Sequence, residues 1–131
     1  MFWNKAKRVG VLLLTLSLIS ISARAQSEYT LETVAEGLNF PWSIAFLPSG
    51  GYLVAMRSGE VRNISADGTV YEPITGLPES YVMSQGGYFD ITLDPNFVSN
   101  QRVYLSFAHG TADANATRIV AGRLEGNTVT G

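Results

Sequence analysis

A set of four short strands recurs along this chain at an offset of 47 residues, measured from Pro48 to Pro95, and that repetition limits the available folds more than any other feature. In the first copy Ser43–Leu47 runs into Pro48-Ser49-Gly50-Gly51, which can supply the positive φ of a tight hairpin. Tyr52–Met56 returns, Glu60–Ser65 follows Ser58-Gly59, and Asp67-Gly68 turns the chain into Thr69–Tyr71. Glu72–Gln85 is a polar connection containing two prolines. In the second copy Tyr88–Leu93 ends at Asp94-Pro95, Arg102–Ala108 answers Tyr52–Met56, and Thr117–Leu124 answers Glu60–Ser65. Gly126-Asn127-Thr128-Val129 then echoes Gly68-Thr69-Val70. These runs are short, rich in β-branched and aromatic residues, and bounded by Gly, Pro, Asn or Asp; no stretch after Gln26 keeps a helical period. Tyr29–Val34 reads as one more strand ahead of the first copy.

Four short strands per unit at a period of about 45–50 residues is the pattern of a β-propeller blade. The expected fold class is all-β, with about the first two four-stranded antiparallel blades of a propeller. The alternative on spacing alone is one eight-stranded sandwich forming a complete small binding module. A ring of about 4–8 blades of roughly 40–50 residues needs well over ~160 residues, and only 106 lie between Gln26 and Gly131. Two isolated blades would leave apolar faces and strand edges unpaired. The chain is therefore expected to be the N-terminal piece of a longer protein.

The first 25 residues read as an export signal. Met1–Arg8 carries three positive charges, Val9–Ser22 is an apolar run of fourteen, and Ala23-Arg24-Ala25 offers small residues at both cleavage positions. Fourteen residues rise only about 21 Å as a helix, short of the roughly 30 Å of a bilayer core, which argues against an anchor. Cleavage after Ala25 is expected, leaving residues 26–131 as the propeller portion in a bacterial periplasm, with no membrane attachment thereafter. Four of the nine bases go with the leader, leaving five arginines and no lysine against eleven acids, a balance of −6. Such a domain has no electrostatic footprint for nucleic acid, and no lysine for a Schiff base or a P-loop. The absence of cysteine excludes disulfides, thiolate metal sites and thiol nucleophiles.

Three segments of the mature chain carry a family resemblance. Gly37–Pro48 (GLNFPWSIAFLP) resembles "L-x-x-P-W-G-L-A-F-L-P-D-G", the opening of the soluble aldose sugar dehydrogenases that use pyrroloquinoline quinone (PQQ). These belong to the glucose/sorbosone dehydrogenase family. Leu53–Arg62 (LVAMRSGEVR) is similar to the family's "L-V-T-E-R-x-G-R-L-R", and Ser84–Phe97 (SQGGYFDITLDPNF) to "G-Q-G-G-L-L-D-V-x-L-D-P-x-F". The departures are Ser43 and Ser84 at usual glycines, Ala55-Met56 for Thr-Glu, and Tyr88-Phe89 for two aliphatics. Loss of the Glu removes an ion pair it would make with Arg57.

The resemblance implies a six-bladed propeller that binds PQQ and oxidises an aldose at its anomeric carbon to the lactone. A histidine takes the hydroxyl proton, calcium polarises the quinone, and electrons pass to an external acceptor. It also implies that Gln85 reaches the PQQ and sugar site, where an amide can both donate and accept. Gly86-Gly87 would let backbone approach a flat ligand. Read without the resemblance, Gln85 is a loop residue. Of two roles for Arg57, a cofactor-facing cation and a structural cap on loop carbonyls, the cap is expected, and Trp42 is expected to pack between blades and not to form a sugar platform. Asp90 and Asp94 are assigned no catalysis, Asp94-Pro95-Asn96 reading as an Asx turn. His109 follows a strand and precedes Gly110, which suggests an exposed loop. It is not assigned as the base, because the family's histidine and calcium ligands come from later blades. This chain alone is thus expected to be inactive. A non-catalytic propeller used for binding is the alternative, and oligomeric state is left open.

Overall fold

The computed structural model describes residues 29–131. The expected leader over residues 1–25 lies outside these. Within Glu32–Gly131 the chain forms two four-stranded antiparallel sheets of consecutive strands. The first sheet holds β1 (Pro41–Phe46), β2 (Tyr52–Met56), β3 (Glu60–Ile64) and β4 (Val70–Pro73). The second holds β5 (Tyr88–Leu93), β6 (Arg102–Gly110), β7 (Asn115–Glu125) and β8 (Thr128–Thr130). One helical turn, α1 (Phe97–Asn100), lies between β5 and β6. No strand leaves its own sheet, so there is no Greek-key crossover of the kind a sandwich uses.

The sheets pack face to face through Ala45, Leu53, Ala55, Val61, Ile91, Val103, Leu105 and Phe107. The burial of β2 separates a blade from a sandwich layer. Alternate residues Leu53 and Ala55 face the second sheet, while Val54 and Met56 are buried in a separate cluster with Ile64 on the opposite side. A sandwich layer keeps its outer face polar, whereas this one is apolar on both faces. Ala35 and Leu38 cover part of that second face, and Trp42, Ile44 and Phe46 stand exposed beside it. Trp42 thus lies on the face turned away from the second sheet and does not pack between these two blades. Met56, where the family pattern has Glu, is an apolar core residue here and leaves Arg57 without that carboxylate.

The repeat holds down to individual hydrogen bonds. Register slips between Pro41 and Ser43 in β1, and between Tyr88 and Asp90 in β5, place an extra residue at Trp42 and at Phe89. Just ahead of each slip a carbonyl at a positive-φ residue accepts from the partner strand. The Arg57 amide donates to Phe40 O over 3.0 Å, and the Ala108 amide to Gly87 O over 2.9 Å. Between the blades the Ile91 amide donates to the Ser43 hydroxyl at 3.0 Å, so the serine that replaces the family's glycine joins the two innermost strands. At the outer edge Thr75 pairs in parallel with Thr128, and Asn127 Nδ2 donates to the Glu72 and Pro73 carbonyls.

Three expectations on secondary structure change. Tyr29–Val34 forms no strand, and no ladder partner meets it among the described residues. The β6–β7 hairpin is longer than expected, because its ladder runs unbroken from Arg102↔Arg123 to Gly110↔Asn115. His109 consequently ends a strand instead of lying in a loop. Finally, α1 is too short to leave a periodic signature. It is built on Asp94, whose carboxylate accepts from the Asn96 amide at 2.8 Å, Asn100 Nδ2 at 2.9 Å and the Tyr104 hydroxyl at 2.8 Å. The first of these is the expected Asx turn. Together, led by the Asn96 amide, they hold the Asp94 carboxyl below its ordinary range.

Candidate functional site

Antiparallel order puts the start of β1, the β2–β3 turn, the β4–β5 connection and the β6–β7 turn at one end of the blades. Asp94 and α1 lie at the other end. Gln85 therefore shares its end with Phe40, Arg57, Ser58 and His109.

The Gln85 loop is pinned at both ends to one residue. The Tyr81 amide donates to Ala108 O at 2.8 Å, and the Ala108 amide returns to Gly87 O. Between them the Gly86 amide closes a turn onto Met83 O at 2.7 Å, with Ser84 and Gln85 at its centre. Ser84, the other replacement of a family glycine, adopts φ +54°, a conformation glycine would take without strain. The two glycines that follow are required. A Cβ on Gly86 would stand 2.4 Å from Tyr81 O, and one on Gly87 2.0 Å from Arg57 O. Gln85 projects from this clamp as an exposed residue, and among the described residues its amide has no hydrogen-bond partner. A rigid backbone with an uncommitted amide is what a ligand-facing glutamine needs. The residues thus fit a flat polar ligand at this loop.

Arg57 differs from expectation. Its side chain donates to no loop carbonyl among the described residues; its guanidinium carbon sits 4.3 Å from the centroid of the Phe40 ring. Phe40 holds φ +56° to put its ring there. Nothing in the sequence announces this pairing of residues 17 apart. His109 is exposed, stacked edge-on to Phe107 at 6.0 Å, with Nε2 3.4 Å from Arg118 Nη1. It shows no arrangement with a carboxylate that would make it a general base. Asp90 is exposed on β5, and its amide donates to the Ser106 hydroxyl. Among the described residues no three acidic or histidine side chains converge as a metal site. No described helix is long and apolar enough to cross a membrane.

Tyr88 lies directly behind the loop. It is 2% exposed, its hydroxyl donates to Pro78 O, and burial pushes its phenol up to about 12. The folded state therefore keeps a proton that the unfolded chain releases near pH 10. Stability contributed by Tyr88 is intact below about pH 10 and is lost as pH rises towards 12. Denaturant titrations should show the unfolding free energy falling across that window, and Tyr88→Phe should flatten the fall.

Two meander blades side by side define part of a β-propeller protein, and the pinned, glycine-backed loop at one end is its candidate site. Residues 38–131 match the Glucose / Sorbosone dehydrogenase family, and the chain belongs to it. It is 34% identical to aldose sugar dehydrogenase YliI of Escherichia coli over 102 residues, 76% of this chain and 28% of that protein. The apo structure of the soluble aldose sugar dehydrogenase from Escherichia coli superposes with TM-score 0.71 at 34% identity, over 76% of this chain and 30% of that one. The PQQ-bound aldose sugar dehydrogenase from Streptomyces coelicolor superposes with TM-score 0.66 at 30% identity, over 78% and 31%. The chain thus spans about three-tenths of the length of these relatives.

Proposed function

We propose that this chain provides two blades of a periplasmic PQQ-dependent dehydrogenase that oxidises aldoses at the anomeric carbon, with Gln85 facing the quinone and sugar. The observation that carries the reading is the Gln85 loop. Its backbone is pinned at Ala108, its glycines abut neighbouring carbonyls, and its amide is left without a protein partner. Family membership, with a PQQ-bound relative, supports the choice of cofactor. When bound, PQQ supplies the hydride acceptor. The part played by this chain's residues is to bind and orient. Gln85 donates to an oxygen of the quinone or accepts from a sugar hydroxyl, and Gly86-Gly87 keep the loop close against Arg57 O. The proton acceptor and the calcium ligands are proposed to come from other blades, which makes this chain inactive alone. Residues 1–25 are proposed to be an export leader cleaved after Ala25, and an external acceptor removes the electrons.

The test is an assay of the whole protein with PQQ, calcium, a panel of aldoses and a dye acceptor. Lactone formation is expected from the whole protein and no turnover from residues 26–131. Gln85→Ala should lower kcat/KM by about tenfold or more, the loss of one well-placed hydrogen bond in a water-poor site. A whole protein that binds no PQQ or oxidises no aldose would overturn the reading.

A further inference from the structure

The charge of Arg57 is unused among the described residues. Among the described residues no carboxylate pairs with it and no acceptor takes its guanidinium N–H groups. Its position is nevertheless fixed at some cost. Phe40 precedes Gly87 by the same 47 residues that separate the blades, and both residues use a carbonyl at positive φ to accept from the adjacent strand. The second blade meets that requirement with glycine, whereas the first uses a bulky aromatic in a conformation such residues rarely adopt. The result is a ring lying 4.3 Å beneath the guanidinium carbon, which orients the cation and leaves its donor edges open. Backbone strain of this kind gathers at ligand sites.

Arg57 also lines a cavity of about 440 Å³ with Phe40, Ser58, Val82, Met83 and Ser84. The Ser58 hydroxyl is buried with no hydrogen-bond partner. Val82 and Met83, both half-exposed or more, give the cavity apolar walls, and Ser84 makes it continuous with the Gln85 loop. A neutral sugar can accept from guanidinium N–H groups but gains nothing from their charge, whereas an anion gains from both. A planar guanidinium fork matches a carboxylate or sulfonate, and the walls suit an aromatic body.

We propose that this cavity takes the acidic edge of a flat aromatic anion, with Arg57 as the recognising cation and Ser58 as a second donor. Two sources present that chemistry: a carboxylate of the quinone cofactor, or an external aromatic acceptor bearing an acid group. The inference rests on the proposed function only for the choice of these two ligands.

The test is equilibrium dialysis of the whole protein against PQQ, against anthraquinone-2-sulfonate, and against neutral 2-(hydroxymethyl)anthraquinone as control. Arg57→Met is expected to weaken at least one anion by about tenfold or more, as loss of a charge-assisted partner should, and to leave the neutral quinone unchanged. Arg57→Lys, which keeps the charge but not the fork or the stacking, should fall between. Weakening of PQQ alone assigns the cavity to the cofactor, and weakening of the sulfonate alone assigns it to the acceptor. Unchanged binding of both anions by Arg57→Met overturns the proposal. If Arg57→Met fails to fold by circular dichroism, the lysine variant decides: anion-to-neutral discrimination equal to wild type overturns it. Failure of the proposed function shows separately, as a wild-type protein that oxidises no aldose whatever the dialysis gives.

Discussion

Gly87→Ala should unfold the Gln85 loop and abolish activity together. The added Cβ would lie 2.0 Å from Arg57 O and 2.9 Å from Arg57 Cα, both backbone atoms with no rotamer to yield. It would also have to hold φ +121°, which side chains other than glycine's rarely adopt. Relief requires Gly87 O to leave the Ala108 amide or β2 to shift at Arg57, and either move releases the clamp. A loss of at least about 3 kcal/mol in unfolding free energy is expected, the range reached when strain and a broken hydrogen bond combine. Denaturant melts measure the first effect and aldose turnover the second. An alanine variant with wild-type stability would show that the loop does not need its close seat on the first blade.

Phe107→Ala should be comparably damaging for a different reason. Phe107 is fully buried, and its ring meets that of Tyr88 edge-on at 5.7 Å. Truncation removes the largest fully buried side chain of the inter-blade core, at about 3–5 kcal/mol. The next residue is Ala108, which holds both ends of the Gln85 loop. The cavity therefore opens directly behind the site. Phe107→Leu, which refills most of the volume, should recover more than half of the loss in the same melts; recovery of none would point to the ring contact instead of volume.

Where the sequence is explicit, it is so because local pattern and tertiary demand coincide. β2 and β5 have the bounds their β-branched and aromatic runs imply, since both are flanked by turn residues on each side, although β2 is internal to its sheet and β5 is the first strand of its own. Spacing alone leaves two blades or one eight-stranded sandwich open; the consecutive strand order of each sheet decides for blades, and the hydrogen bonds of Phe40 and Gly87 reproduce the 47-residue offset. Tyr29–Val34 has the composition of a strand, but composition supplies no partner edge. The parallel bridge of Thr75 to Thr128 joins residues 53 apart and carries no local signal. Gln85 could be singled out only through resemblance, because an exposed polar loop residue looks the same with or without a ligand. Arg57 stacks on an aromatic ring instead of capping carbonyls, and that partner carries no sequence signal because an unusual backbone angle at Phe40 supplies it.

The two blades differ in length at one place. Phe40 and Arg57 are 17 residues apart, whereas the equivalent Gly87 and Ala108 are 21 apart, and the four residues of α1 make up the difference. That addition sits in the β5–β6 turn, at the end remote from Gln85, where the Asp94 side chain closes it off as a self-contained knot. Length can thus accumulate on this distal rim while the rim that carries Gln85 keeps its register, which makes the exposed crest at Val98 the natural point for grafting a tag or reporter peptide.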